Sequence, residues 1–115
     1  MAQGFSLLVC PVQDLAKAKA LYSTLLGTQP YAEAPYYVGF HVGDQELGLD
    51  PNGHKSGLSA PLAYYEVGDI NAKLASLTAA GAEVLMPVTS VGGGKLVARI
   101  KDPDGNVVGL MQSPA

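Results

Sequence analysis

Apolar positions along this 115-residue chain follow two kinds of pattern, and each kind occurs twice. From Asp14 to Gly27 the segment DLAKAKALYSTLLG spaces Leu15, Ala18, Leu21, Tyr22 and Leu25 three or four residues apart, and from Asp69 to Gly81 the segment DINAKLASLTAAG does so with Ile70, Leu74 and Leu77. Residues at that spacing share one face of an α-helix, so each segment predicts a helix lying on a sheet with its lysines turned outward. Each opens on an aspartate able to accept from the free N–H groups of the first turn. Each closes on a glycine, which tolerates the left-handed backbone that ends helices.

A short apolar run precedes each helix, FSLLVCPV or PLAYYEV, and three strand-like segments follow it. Gly43-Asp44 between YYVGFHV and QELGLD predicts a two-residue hairpin turn, which sets Gly39 opposite Gly48 and His41 opposite Glu46. Asp102-Pro103-Asp104-Gly105 supplies proline at a turn's second position and glycine at its end. The order is β-α-β-β-β, twice. The expected fold class is α+β: one domain over residues 1–115, made of tandem βαβββ modules at about 1–52 and 60–115 with the Gly-, Ser- and Pro-rich stretch 51–61 as linker. One helix covers one face of each sheet, so the other face needs a partner; curved mixed sheets around a cleft, with helices outside, satisfy both.

Composition narrows the classes. The seven basic residues are scattered and the net charge is −3, so no nucleic-acid stripe emerges. No apolar run approaches the ~20 residues that span a bilayer, and the opening MAQGFSLLVCPV lacks the basic start of a secretory leader. With Cys10 the only cysteine, neither a disulfide framework nor a zinc cluster is available, and a cytoplasmic location is expected. A hydrophobic content of 48% against 15% charged residues leaves apolar surface to cover, for which a homodimer is the expected solution. The Gly92-Gly93-Gly94-Lys95 run lacks the Ser or Thr of a phosphate loop and reads as a loop of a hairpin.

DLAKAKALYSTLLG and the late KDPDGNVVGLM, in this duplicated order, resemble the vicinal oxygen chelate superfamily of glyoxalases, bleomycin-resistance proteins and extradiol dioxygenases. The resemblance covers essentially the whole chain. It implies four metal-ligand positions, two per half and usually His or Glu; these fall on Leu7, Gly48, Leu62 and Gly109. Leucine and glycine side chains offer a divalent ion no donor, so the chain resembles a metal-free branch. No metal and no other cofactor are expected.

Residues two apart on a strand share a face, and the former ligand positions mark the face turned to the cleft. That face should carry Leu7 and Val9, Tyr37, His41 and Glu46, Leu62, Tyr64 and Glu66, Arg99, and Val107, Gly109 and Met111. Leu8, Cys10, Leu47, Leu49, Leu96, Ala98, Ile100, Val108 and Leu110 should lie under the helices, and Tyr22, Tyr36 and Tyr65 should be core. The expected ligand-binding set is Leu7, Val9, Tyr37, His41, Glu46, Leu62, Tyr64, Arg99, Gly109 and Met111. Tyr37 and Tyr64 offer rings for stacking in room left by the glycines, and Arg99 offers a planar donor fork for a carboxylate or carbonyl. The reading favours binding over catalysis: a small-molecule protein similar to the bleomycin-resistance branch, of the kind that confers antibiotic resistance by sequestering a planar hydrophobic or drug-like compound. The alternatives are a metal-free lyase or isomerase, glyoxalase-like, with His41 and Glu46 as its acid-base pair, or a non-catalytic accessory subunit.

Overall fold

The computed structural model describes residues 4–55, 57, 58 and 60–114. It is a mixed α+β structure in which β1 (Gly4–Pro11), α1 (Leu15–Leu26), β2 (Ala32–Ala34), β3 (Tyr37–Val42) and β4 (Gln45–Asp50) are followed by β5 (Leu62–Glu66), α2 (Ile70–Ala79), β6 (Glu83–Ser90), β7 (Leu96–Lys101) and β8 (Val107–Gln112). The βαβββ order is thus present twice. Two compact units result: Ser6–Leu62, and Ala63–Ala115 with Met1–Phe5. Of the stretch expected as a linker, Ser56 and Ser59 lie outside the described residues, as do the first three residues of the chain's opening. The rest of that stretch is held locally, Leu58 being buried with its N–H donating to the Gly53 carbonyl at 2.9 Å.

In the first unit β1 runs parallel to β4, a pairing that a crossover helix makes possible, and β2, β3 and β4 form an antiparallel meander. Gly43 takes φ 61° while no described non-glycine residue has positive φ, the pattern of a hairpin turn with glycine first. The resulting register sets Gly39 against Gly48 and His41 against Glu46. Beneath α1 lie Cys10, Val38, Phe40, Leu47 and Leu49. Burial raises the Cys10 thiol's pKa against a smaller lowering by its hydrogen bond with Tyr22, so this cysteine packs rather than reacts.

The apolar stripe of α1 is narrower than its leucine content suggests. Leu15, Ala18, Tyr22 and Leu26 pack on the core, whereas Leu21 and Leu25, expected in that stripe, are 63% and 70% exposed. Steps of three, four and four keep one helical face, and Leu21 with Leu25 form a second row about 100° away from it. Leu8 shares the parity of Cys10 yet is also exposed: strand alternation assigned its face, not how far the helix covers that face. The side chain of Asp14 caps α1 by accepting from Lys17 N–H at 3.0 Å, and Gly27 closes it at φ 68°.

The second unit repeats the arrangement, with β5 parallel to β8 and β8, β7 and β6 antiparallel in turn. Val67, Ile70, Ala98 and Leu110 form its core, against which Tyr65, Leu74, Leu77 and Leu96 pack from α2 and the sheet. Asp69 caps α2 on Ala72 N–H at 3.0 Å. At the β7–β8 turn the Asp102 carboxylate accepts from the backbone of Asp104 and Asn106 and from the Asn106 side chain, bonds that hold its pKa below the usual range. The edge strand β6 contains Pro87 and slips register twice against β7, as edge strands do where regular pairing is interrupted. Tyr36, expected in the core, is instead 68% exposed, because it sits in the two-residue turn between β2 and β3 rather than on either strand.

Candidate functional site

In the first unit the face opposite α1 is read from the register. Leu7 pairs with Glu46 and Val9 with Gly48 across β1 and β4; Glu46 pairs with His41 and Gly48 with Gly39 across β4 and β3. Alternation then brings Tyr37, Gly39 and His41 to the same side. The Tyr37 ring lies over Gly48, where an added Cβ would be 2.6 Å from Tyr37 Cε1. The room the glycine leaves is therefore filled by a tyrosine of the chain itself.

Glu46 is the centre of this face. Its Oε2 accepts from the Tyr37 hydroxyl and its Oε1 from the Tyr31 hydroxyl at 2.7 Å. Burial, the hydrogen bond to Glu46 and the carboxylate's charge, in that order, push the Tyr31 phenol up to about 12 and raise Tyr37 further. Both therefore stay protonated donors at neutral pH. His41, expected to pair with Glu46, is its cross-strand neighbour but stacks on Tyr31 instead, with ring centroids 3.8 Å apart and planes 16° from parallel. Tyr31 was not foreseen. It precedes the three-residue strand β2, too short to leave a pattern in the sequence, and the antiparallel pairing of β2 with β3 brings its N–H to the Gly39 carbonyl at 3.0 Å.

The corresponding face of the second unit contains the row Tyr64, Gly109 and Arg99, on β5, β8 and β7. The Tyr64 ring covers Gly109 as Tyr37 covers Gly48, an added Cβ falling 2.6 Å from Tyr64 Cε2. Tyr64 is only 5% exposed, so its ring packs on the sheet rather than standing open. Its hydroxyl accepts from Arg99 Nε at 3.2 Å. Arg99 is half-buried, and among the described residues it forms no ion pair. The next cation along, Lys101, is 3.7 Å from Glu83. Met111, Leu62 and Val9 are buried, so of the expected set they form backing rather than surface. Glu66, also buried, accepts from Ser113 N–H at 2.9 Å.

The metal-ligand positions implied by the family do not fit a metal here. Leu7 and Leu62 are aliphatic, and Gly48 and Gly109 lie under tyrosine rings; among the described residues no three His, Cys, Asp or Glu side chains are grouped to share an ion. A separate open groove of about 440 Å³ lies on the helix side of the first unit, between α1 and β2, lined by Leu15, Ala16, Lys19, Glu33, Ala34, Pro35 and Val38. It contains none of the residues above. Among the described residues no helix is long and apolar enough to cross a membrane.

Comparison with known proteins places this arrangement. The profile of the Glyoxalase/Bleomycin resistance protein/Dioxygenase superfamily matches residues 4–110. Among solved structures the chain is similar to methylmalonyl-CoA epimerase from Mycobacterium tuberculosis, at 17% identity over 97% of this chain and 88% of that one with a TM-score of 0.76. It is similar also to a glyoxalase/bleomycin resistance protein/dioxygenase superfamily member from Vibrio splendidus 12B01, at 15% identity over 96% and 98% with a TM-score of 0.71. The Mn(II)-bound glyoxalase from Novosphingobium aromaticivorans matches at 19% identity over 98% of this chain but 39% of that one, with a TM-score of 0.66. No curated protein matches significantly. At these identities the structural likeness is one of fold. The profile match nevertheless spans nearly all of both modules, and the chain belongs to the Glyoxalase/Bleomycin resistance protein/Dioxygenase superfamily.

Proposed function

We propose that the protein is a metal-independent binding protein for a small, flat molecule bearing a carboxylate or carbonyl, which it holds without converting. The observation that carries this reading is Arg99: a half-buried guanidinium on the face opposite α2, steadied at Nε by Tyr64, with no carboxylate of the described chain paired to it. A charge withdrawn from water and left without a counter-ion is costly unless a ligand supplies one. Steadying Nε leaves the terminal amino groups to take two oxygens in the guanidinium plane.

The alternative, a lyase or isomerase working through His41 and Glu46, needs Glu46 free to receive a substrate proton. Both its oxygens already accept tyrosyl hydroxyls, and His41 is turned onto Tyr31, which favours binding over proton transfer. A homodimer in the cytoplasm belongs to the same reading, and the exposed pair Leu21 and Leu25 supports it as apolar surface to be covered. Light scattering should then give about twice the 11.8 kDa of one chain.

The test is a calorimetric and NMR titration with benzoate against benzamide, its uncharged analogue. Benzoate should bind, and Arg99→Ala should weaken it by about 1.5–3 kcal/mol, the range for a hydrogen bond to a charged group. The benzoate spectrum should be unchanged after long incubation with the protein. Benzoate affinity unaffected by Arg99→Ala would overturn the site, and new resonances from the probe would overturn binding without conversion.

A further inference from the structure

The first unit has the opposite charge problem. Glu46 is a half-buried carboxylate, and among the described residues no lysine, arginine or histidine lies within ion-pair distance of it. Its two hydrogen bonds come from neutral phenols, which fix the carboxylate in place without cancelling its charge. Around it stand three rings. Tyr31 is 51% exposed, His41 is exposed and stacked parallel to Tyr31, and Tyr37 lies half-buried over Gly48. Glu46 and the two tyrosines meet over Gly39, where a Cβ would be 3.0 Å from Glu46 Oε2, from Tyr31 Cε1 and from Tyr37 Cε2, and His41 joins them through its stack on Tyr31. The glycine is what lets the carboxylate and both phenols converge there.

We propose that Tyr31, Tyr37, His41 and Glu46 form a recognition site for an organic ammonium group. An ammonium is attracted to the negative faces of aromatic rings and, more strongly when partly desolvated, to a fixed carboxylate. A phenol that donates its proton to a carboxylate has the more electron-rich ring, which strengthens the first attraction. Because desolvation of the hydroxyls and the hydrogen bonds to Glu46 keep both tyrosines protonated, the arrangement holds over the whole neutral range. A tetrahedral methylated ammonium fits this setting better than an inorganic ion, since its methyl groups contact ring faces while its charge faces Glu46. The four residues all belong to the first unit, and Arg99 belongs to the second.

The experiment is an NMR titration of the intact protein with choline and with 3,3-dimethyl-1-butanol, which has the same shape with carbon in place of the charged nitrogen. Choline should give saturable shifts at Tyr31, Tyr37 and His41, while the neutral isostere should bind at least about tenfold more weakly, a gap of 1.4 kcal/mol or more. Glu46→Gln keeps the size and one hydrogen-bond acceptor and should lower choline affinity by a similar factor. Tyr31→Leu, which removes one ring and leaves the carboxylate, should also weaken it and serves if Glu46→Gln does not fold. Equal responses to choline and its isostere would overturn the proposal. So would undiminished choline affinity in the folded variants, or shifts centred elsewhere. Benzoate reports on Arg99 and choline on Glu46, so failure of one reading is distinguishable from failure of the other.

Discussion

The two modules share a plan down to single residue pairs and differ in the charge they present. In each, a tyrosine ring is laid over a glycine on the face opposite the helix, Tyr37 on Gly48 and Tyr64 on Gly109. In each, the tyrosine's hydroxyl then engages a charged group of that face, donating to Glu46 in the first module and accepting from Arg99 in the second. A phenol can do either, because its oxygen is both donor and acceptor. The backbone repeat therefore fixes where a polar group is steadied, and the residue at one position on β4 or β7 fixes whether that group is a carboxylate or a guanidinium.

The comparison breaks most sharply if the helix-side cores are not equivalent. Phe40 beneath α1 and Ile70 at the start of α2 are both fully buried. Phe40→Ala should cost about 3–5 kcal/mol and Ile70→Ala about 2–5 kcal/mol, with the same loss read by fluorescence and by circular dichroism. Tyr36→Ala, at an exposed turn, should stay within about 0.5 kcal/mol of the parent. A severe loss in one module with none in the other would mean that the two cores do not support the fold alike.

The tyrosine-over-glycine pairs come next. Gly48→Ala and Gly109→Ala each push a methyl into a ring, and overpacking of this kind costs about 1–3 kcal/mol. If the ring is the obstacle, Tyr64→Ala combined with Gly109→Ala should cost less than the sum of the two single changes, which a double-mutant cycle in urea would measure. Additive losses would mean that Gly109 is needed for its backbone rather than for Tyr64.

Much of this is legible in the amino-acid sequence. The aspartate caps, the Gly43-Asp44 turn and the Gly39–Gly48 and His41–Glu46 register follow from local backbone chemistry and from the two-residue period of strands. What local rules could not supply was reach. They gave the parity of Leu8 and the helical spacing of Leu21 and Leu25, but how much of a face is covered depends on where the partner element lies. They put His41 opposite Glu46, but a side chain has several rotamers, and the stack on Tyr31 is a choice among them. Tyr31 was invisible for the same reason, since it enters the cluster through β2, three residues long and without a strand-length pattern.

Alkaline titration sharpens the contrast on the first module alone. Tyr31 ionises only near about 12, first because its hydroxyl is partly desolvated, although the residue is exposed as a whole, and then because Glu46 takes its hydrogen bond and repels the phenolate. A tyrosine raised in this way stabilises the fold fully below the unfolded value of about 10, and that contribution is lost as pH rises from there through the folded value. Glu46→Gln removes the repulsion and leaves the burial, so the Tyr31 transition, followed by absorbance near 295 nm, should move down without returning to the ordinary phenol. A transition that does not move would separate Tyr31 from Glu46.

The smallest expected difference lies at the helix starts. Asp14 and Asp69 make the same bond, each accepting from the N–H three residues on at 3.0 Å, so equal modules would lose equally when either cap is removed, typically about 1 kcal/mol. The second helix has additional support: Ile70 N–H donates to Gln112 Oε1 at 2.8 Å, tying the first turn to the end of β8. With that turn pinned by a second acceptor, less of it is released when Asp69 is lost. Asp69→Ala should therefore fall near the lower end of the range, about 0.5 kcal/mol, and Asp14→Ala nearer about 1 kcal/mol. Urea midpoints at unchanged slope measure both. Adding Gln112→Ala to Asp69→Ala should cost more than the two changes made singly. If the pair is merely additive, Gln112 is not what shelters the second helix, and the difference between the modules ends at Glu46 and Arg99.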